Sequence, residues 1–312
     1  MGAAGERLSE RTKGVFVIAV TPFHDDGRLD LDGLDSALDF YIAQGVHGVT
    51  LLGMMGEPDK LTDGERLAVV QRGLARIAGR VAAVVGVSDT SLKALRALAH
   101  AAMDGGAAGV MAAPPTGLRT DDQVHAWTAQ VCEALGPDVP VVWQDYPPTT
   151  GVFLSATLFG RIVRDHPQVV VLKAEDNPVL GKIAAVRRAE REEGQRRVAI
   201  VAGNGGLFLP QALARGADGV MTGFGLPKML VEVYARHLAG DRDGAEEVYD
   251  AYLPLVAYEL QPGIGLAVRK EILRRQGAIR SAAVRVPGAK LAPADVAELD
   301  RLLARLERRL KG

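Results

Sequence analysis

Short apolar runs alternate with amphipathic stretches along most of this chain, and this alternation restricts the possible folds more than any other feature. An apolar run of about five residues between polar boundaries is typical of a strand buried on both faces, as in a parallel sheet. Such runs predict strands at 14–20, 47–53, 81–87, 108–113, 140–145, 168–173, 197–202 and 218–222. The amphipathic stretches predict helices at 31–44, 62–78, 90–104, 121–135, 155–165, 178–192, 207–214 and 227–239.

Eight strands, each followed by a helix, are the number and order of elements in a (β/α)8 barrel. A doubly wound open sheet is the rival, but neither the first nor the third predicted strand is followed by the GxGxxG turn of a dinucleotide-binding domain. After about residue 240 only helical patterns remain, at 241–258, 262–276 and 293–310. We therefore predict a barrel domain over 1–240 and a C-terminal helical extension over 241–312, packed on the barrel or used in assembly.

Capping patterns support several helix starts. Thr62 with Glu65, and Thr120 with Gln123, fit the capping box. Asn177 followed by Pro178 fits an N-cap with proline at the first helical position.

Composition excludes several classes of function. The net charge is −1 and no long basic run occurs, so we expect no nucleic-acid partner. The single cysteine, Cys132, excludes an internal disulfide, and its helical context predicts a core position. The first 13 residues lack the apolar segment of a signal peptide, and no run reaches the roughly 18 apolar residues of a membrane span. We therefore expect a cytoplasmic protein without membrane segments. No His/Asp/Glu cluster has the spacing of metal ligands, so we expect no metal site.

The sixth predicted strand ends at Lys173 and passes at once into acidic sequence, with Glu175 and Asp176. Strict alternation predicts that Val169, Val171 and Lys173 share one face of this strand. Burial among apolar neighbours disfavours the charged form of an amine and makes it nucleophilic toward carbonyl groups. The alternatives are that Lys173 extends to solvent or pairs with Glu175 or Asp176.

Catalytic groups of such barrels come from the carboxyl ends of strands. Strand 5 ends at Gln144, Asp145 and Tyr146, of which Gln144 and Tyr146 are predicted to share a face beside Lys173. Tyr146 can transfer protons, whereas Gln144 can only form hydrogen bonds. A tyrosine before two prolines is equally typical of a turn.

Glycine-rich loops follow strands 2, 7 and 8. The loop at 53–57 brings backbone N–H groups close to a ligand, as a carboxylate requires, or is simply a tight turn. The glycines after strands 7 and 8 occupy the usual phosphate site of barrels, without an evident basic partner. The predicted substrate-binding residues are Met54, Met55, Gly56, Glu57, Gly203, Asn204 and Thr222.

At these positions the chain resembles the dihydrodipicolinate synthase and N-acetylneuraminate lyase family of Schiff-base class I aldolases. The resemblance covers nearly the whole chain and is carried by AVTPF at 19–23, by GxxGExxxLTxxER at 53–66, by Leu-Lys at 172–173 and by Gly-Val-Met at 219–221. It implies a barrel with a helical extension, assembled as a homotetramer or homodimer. It also implies an imine between Lys173 and a 2-keto acid such as pyruvate, without a cofactor or metal.

The chain departs from the family pattern around this lysine. Met54 and Met55 replace two hydroxyl residues that hold the keto acid's carboxylate and join a proton relay. Gln144 stands where the relay tyrosine is usual, with Tyr146 two residues later, and Thr149 stands near the arginine that synthases use for their second substrate. These departures argue against strict dihydrodipicolinate synthesis, with Tyr146, and Glu175 beside it, as replacement proton-transfer groups.

Four functions stay open on the sequence. The first is a lyase or aldolase that makes or breaks a C–C bond of a 2-keto acid, and the second is a 2-keto-3-deoxy sugar acid dehydratase that uses the same imine. The third is an inactive barrel that acts as a binding or regulatory protein, although an unused buried amine would cost stability. The fourth is a phosphosugar enzyme that uses the glycines after strands 7 and 8.

Overall fold

A closed barrel of eight parallel strands in chain order confirms the predicted architecture. The computed structural model describes residues 6–311. The strands are β1 (Gly14–Ile18), β2 (Gly48–Leu51), β3 (Ala82–Gly86), β4 (Gly109–Ala112), β5 (Val141–Asp145), β6 (Val169–Ala174), β7 (Ala199–Ala202) and β8 (Gly219–Thr222). Seven of them lie inside the predicted spans, and β6 extends one residue further.

Helices follow the strands around the outside of the barrel. They are α1 (Leu31–Ala43), α2 (Asp63–Ile77), α3 (Leu92–Asp104), α4 (Asp121–Leu135), α5 (Pro147–Thr150), α6 (Ala156–Asp165), α7 (Val179–Glu192), α8 (Leu209–Ala214), α9 (Pro227–Leu238), α10 (Arg242–Glu259), α11 (Gly265–Arg275) and α12 (Pro293–Lys311). The single turn α5 has no counterpart among the predicted helices. Short 3-10 turns lie at Met54–Gly56, Pro58–Lys60 and Asn204–Gly206.

The two predicted capping boxes are confirmed, because Thr62 with Glu65 and Thr120 with Gln123 form both reciprocal hydrogen bonds. The predicted cap at Asn177 is wrong. Helix α7 begins at Val179, with Pro178 at the cap position. Pro178 has no hydroxyl or carboxamide to accept a bond from the first turn, so this helix starts without a side-chain cap.

Two apolar clusters account for the core: one lies inside the barrel, and a larger one lies between the strands and the helices. Val171 lies in the inner cluster, whereas Val169 lies in the outer one, so the prediction that they share a face is wrong. The pairing of β5 with β6 shifts between Val141 and Val142, which oppose Val169 and Val171 and leave Val170 as an extra residue. This bulge reverses the alternation before Lys173.

The barrel is closed at the amino ends of its strands by Leu8, which packs against the inner cluster and donates its backbone N–H to Ala108 O at 2.8 Å. A ligand can therefore reach the inside of the barrel only from the carboxyl ends of the strands. Residues 1–5 belong to the stretch in which we expect no signal peptide, and they lie outside the described residues.

The C-terminal helices pack on the barrel layer, with α10 against α9 and α12. Helix α11 carries two buried basic residues, Arg269 and Lys270, toward the loops after β8, β1 and β2. The division into domains at residue 240 stays a prediction. Across residues 6–311, no helix combines the length and apolarity that a membrane crossing requires.

Candidate active site

Lys173 lies near the carboxyl end of β6, between Gln144 of β5 and Val201 of β7 in the pairing register. Its side chain is 5% exposed, and its Nζ lies 2.9 Å from Glu175 Oε2. The predicted burial of Lys173 is confirmed; of the two alternatives, the pair with Glu175 is observed and extension to solvent is not. The amine therefore has a carboxylate within direct proton-transfer distance.

Glu175 is the centre of the polar cluster at this end of the barrel. Gln144 Nε2 donates to its Oε2 at 2.8 Å, and the backbone N–H of Asn204 donates to Oε1 at 3.4 Å. The Asn204 side chain also donates to the backbone oxygen of Glu175 at 2.9 Å. Residue 203 must be glycine here, because a Cβ would lie 2.2 Å from Glu175 Cγ. Four predicted site residues, Lys173, Gln144, Gly203 and Asn204, are thus brought together around one carboxylate.

Tyr146 lies just beyond the end of β5 and occupies the cap position of α5, where its backbone oxygen accepts the Thr150 hydroxyl at 3.1 Å. Its ring is half-buried. Burial, and then the charge of Glu175, raise the pKa of Tyr146. The phenol therefore lies within electrostatic reach of the carboxylate that pairs with Lys173, while the backbone at this position also forms the predicted turn.

The loop after β2 presents backbone amides at the mouth of the barrel. Met54 and Met55 lie in the first turn of a 3-10 helix, where amides have no partner within the helix. The Gly56 amide, in contrast, donates to Gly53 O at 2.7 Å, and the Thr21 hydroxyl donates to Gly56 O at 2.6 Å. The turn therefore leaves two amides, those of Met54 and Met55, without a partner inside it, and these two can bind a ligand carboxylate.

The methionine side chains make this loop apolar. Met55 packs against the inner cluster, which includes Ile18 and Met111. Below them on β2, Thr50 is paired with Ile18 in the register and is fully buried. Its hydroxyl has no hydrogen-bond partner among residues 6–311.

Glu57 ends the same loop, and its carboxylate is occupied by protein donors. Lys270 Nζ lies 2.6 Å from Oε1, Lys60 Nζ lies 2.8 Å from Oε2, and the Arg285 backbone N–H donates to Oε2 at 3.0 Å. These are the contacts of a structural anchor. That Glu57 binds substrate stays a prediction, and its surroundings do not favour it.

The glycines after β7 and β8 are used by the protein itself. Thr222 accepts a hydrogen bond from the Gly205 amide at 2.8 Å. The guanidinium of Arg269 lies against Gly223, where a Cβ would lie 2.2 Å from its Nη1. Arg269 is the basic partner that the sequence did not reveal, but its Nε already donates to Glu259 at 2.5 Å. Glu259 neutralises Arg269, and the Arg269 side chain fills the space beside Gly223. These glycines therefore give no support to a phosphosugar site.

A second group of charges lies between helix α7 and the carboxyl ends of β5 and β6. Lys182 of α7 bridges Asp145 Oδ2 at 2.5 Å and Asp176 Oδ2 at 2.6 Å. Burial raises the pKa of Asp145 to about 7 against the opposing pull of Lys182. The other oxygen, Oδ1, has no hydrogen-bond partner within residues 6–311.

Cys132 lies in the core as predicted, and burial raises the pKa of its thiol to about 12. It therefore stays protonated at neutral pH and is unsuited to nucleophilic catalysis.

The sequence offered Glu175 both as an ion-pair partner of Lys173 and as a replacement proton-transfer group. The structure shows the ion pair, and the proton transfer stays a prediction. The anchoring of Glu57 by Lys270 had no usable signal, because the two residues are 213 positions apart in the chain.

The fold and this cluster define a class: a closed parallel barrel with a buried lysine and its carboxylate at the strand ends. A model of the dihydrodipicolinate synthetase family matches residues 11–306. The chain belongs to this family. Its relatives include both a dehydratase and synthases.

Individual relatives cover almost the entire chain. The L-2-keto-3-deoxyarabonate dehydratase of Azospirillum brasilense is 33% identical over 301 residues, 95% of each chain. The 4-hydroxy-tetrahydrodipicolinate synthase of Sorangium cellulosum is 34% identical over 303 residues, 95% of this chain and 96% of the relative. The crystal structure of dihydrodipicolinate synthase from Rhodopseudomonas palustris has a TM-score of 0.94 at 46% identity, over 96% of this chain and 99% of that chain.

Proposed function

We propose that this protein is a lyase that forms an imine between Lys173 and a 2-keto acid. The observation that carries the proposal is the buried Lys173 Nζ, 2.9 Å from the Glu175 carboxylate at the carboxyl end of β6. Lysine amines form Schiff bases with carbonyl substrates, and the imine then acts as the electron sink that a cofactor would otherwise supply. No cofactor or metal is needed for this chemistry.

In the first step, the unprotonated amine attacks the keto carbon and the carbonyl oxygen leaves as water. The Lys173 nitrogen loses two protons in this step, and Tyr146 passes them to the departing oxygen, which leaves with both as water. Gln144 holds the Glu175 carboxylate in place through its 2.8 Å hydrogen bond. The amides of Met54 and Met55 bind the substrate carboxylate, while the methionine side chains keep water away from it.

In the second step, a base removes a proton from C3, and the electron pair forms an enamine with the imine nitrogen. We assign this role to Glu175, because Gln144 and Asn204 hold its carboxylate beside the lysine. The enamine then adds to an aldehyde, which makes a C–C bond, and the same path in reverse cleaves one.

A dehydratase acting on a 2-keto-3-deoxy sugar acid is the second candidate, and the Azospirillum brasilense relative favours it. In that reaction the C4 hydroxyl takes up a proton, and the electron pair of the enamine expels it as water. Hydrolysis of the imine then releases the dehydrated keto acid. The Glu175 carboxylate beside Lys173 suits a polyhydroxylated substrate better than a second anion, whereas Asp145 and Asp176 are paired with Lys182. Strict dihydrodipicolinate synthesis is not proposed.

Product analysis decides between these outcomes. The purified protein is incubated with 2-keto-3-deoxyarabonate, and the products are identified by mass spectrometry. A product lighter by one water supports the dehydratase, whereas pyruvate and an aldehyde support the C–C lyase. A panel of 2-keto-3-deoxy acids of other lengths and configurations, and pyruvate with simple aldehydes, extends the search. No turnover in any arm, from a folded protein that also forms no imine, would favour the binding-protein alternative.

We further propose a homotetramer or homodimer acting in the cytoplasm on small molecules, without nucleic acid or membrane partners. Light scattering on the purified protein tests the assembly. A monomer at micromolar concentration would contradict it.

A further inference from the structure

The loop that presents the Met54 and Met55 amides is bounded by two strained residues. Leu52 and Glu57 have φ of 52° and 54°, although neither is glycine. Left-handed backbone at such residues persists only where surrounding contacts hold it. At the Glu57 end, Lys60 supplies one of those contacts and the C-terminal extension supplies the others.

Lys270 of α11 is the first of these contacts. It is fully buried, and its Nζ reaches three acceptors: Glu57 Oε1 at 2.6 Å, Thr21 O at 2.9 Å and Ala283 O at 2.8 Å. The ammonium also lies 4.5 Å from the centre of the Phe23 ring. A single side chain thereby joins the loop after β1, the loop after β2 and the C-terminal segment.

Arg285 of that segment is the second contact. Its backbone N–H donates to Glu57 Oε2 at 3.0 Å, and its side chain donates to Lys60 O at 2.8 Å. The guanidinium also pairs with Glu65 at 2.6 Å, and hydrogen bonds from Arg285 hold the pKa of Glu65 down at about 2. Glu65 closes the capping box of α2, so Arg285 fixes both ends of the 57–65 segment.

We propose that Lys270 and Arg285 are positioning residues for substrate binding: they clamp Glu57 and so hold the Met54 and Met55 amides at the geometry that a keto-acid carboxylate requires. This proposal rests on the proposed function. The clamp touches no reacting atom, so its loss weakens binding of the keto acid more than it slows the chemistry. Such a change raises the substrate concentration needed for half-saturation and leaves the maximal rate nearly unchanged.

The experiment uses pyruvate as the probe and borohydride trapping of its imine as the readout, followed by intact mass. Lys270→Met removes the ammonium group and keeps most of the length of the unbranched side chain. We expect about a 10-fold rise in half-saturating pyruvate, short of the roughly 100-fold that a 1 Å misplacement can cost, with maximal trapping within about twofold of wild type. Arg285→Met, which keeps the backbone bond to Glu57, should give a smaller rise in the same direction.

Arg274→Met is the matched control. Arg274 lies on the same helix, but it pairs with Glu271 at 2.8 Å, and its side chain is 46% exposed. Its removal should leave half-saturation unchanged. Lys270→Met with Glu57→Gln restores charge balance. If the clamp only stabilises the fold, this double variant regains both wild-type stability and wild-type half-saturation, which would overturn positioning. If the clamp positions the loop, half-saturation stays raised.

Hydrogen exchange of the Gly56 and Glu57 amides, which donate to Gly53 O and Met54 O within the turn, separates this proposal from the proposed function. Faster exchange in Lys270→Met, with the raised half-saturation, supports the clamp. Unchanged exchange overturns it, and so does faster exchange with unchanged half-saturation. If wild type traps no keto acid, the proposed function has failed, and hydrogen exchange alone decides whether the clamp orders the loop.

Discussion

Replacement of Glu175 by glutamine separates the two proton-transfer steps assigned to this site. The substitution keeps the size of the side chain but removes the charge that lies 2.9 Å from Lys173 Nζ. At an effective dielectric of about 20, unit charges at this 2.9 Å distance attract by about 6 kcal/mol before desolvation is subtracted. The variant removes this attraction and leaves an uncharged amide beside Lys173.

Imine formation should survive in Glu175→Gln, because Lys173 remains the nucleophile and Tyr146 still passes its protons to the departing oxygen. Enamine formation should not, because the amide cannot accept the C3 proton. Loss of a general base costs about 10²–10⁴ in rate, or about 3–5 kcal/mol of barrier. The same variant should unfold more easily by no more than the roughly 3–5 kcal/mol that breaking a buried ion pair costs.

The assay follows the methyl protons of pyruvate by NMR in deuterated buffer, alongside borohydride trapping. Enamine formation exchanges these protons for deuterium. We expect Glu175→Gln to trap pyruvate at a rate within about tenfold of wild type, the margin left for the altered amine, while exchange falls by about 10²–10⁴. Asp176→Asn is the control, because Asp176 pairs with Lys182 rather than Lys173.

Wild-type exchange in Glu175→Gln would refute the assignment of the base. An equal loss in Asp176→Asn would also refute it, because the effect would then follow from the charge of the region and not from the carboxylate on Lys173.

Two further predictions concern the neighbours of this carboxylate. Tyr146→Phe should lower the rate of imine formation by about 10²–10⁴ in stopped-flow assays, and a much smaller loss would point to Gln144 with bound water. Asp145 has a pKa raised to about 7 by burial, so the folded state holds a proton that an unfolded aspartate loses near pH 4. Its stabilising contribution is present below about pH 4 and is lost as pH rises toward 7. Urea midpoints measured from pH 4 to 8 should therefore fall more steeply in wild type than in Asp145→Asn, and parallel curves would contradict the shift.

Much of the fold could be predicted from the sequence because the elements of a barrel are local. Each strand is one apolar run and each helix one amphipathic stretch, so position along the chain gives the order around the barrel. The capping boxes at Thr62 and Thr120 are equally local, and the structure confirms them. The placement of Lys173 at a strand end followed from the same reasoning.

The errors arose where contacts override local pattern. Alternation fails at Val170, because the bulge depends on how β5 and β6 pair and not on either strand alone. The cap at Asn177 fails because α7 begins one residue later than the local signal suggests, at Val179 rather than Pro178.

The surroundings of the site were the least predictable part. Two partners of Glu57, Lys270 and Arg285, come from α11 and the segment after it, more than 200 residues away in the chain. Arg269, which packs against Gly223, is about 45 residues away from it. Glu175 is the exception, because it follows β6 directly and the sequence already offered it as a partner of Lys173.

Borohydride reduction in the presence of pyruvate, followed by peptide mapping, tests the imine at Lys173 most directly. We expect one adduct, on the peptide that contains Lys173, and none in Lys173→Ala, whose fold is checked by circular dichroism. Lys270 is an internal control, because it is a second buried lysine that is fully occupied by protein acceptors and should stay unmodified. An adduct on another lysine, or none from the folded wild-type protein with any 2-keto acid, would contradict the central claim.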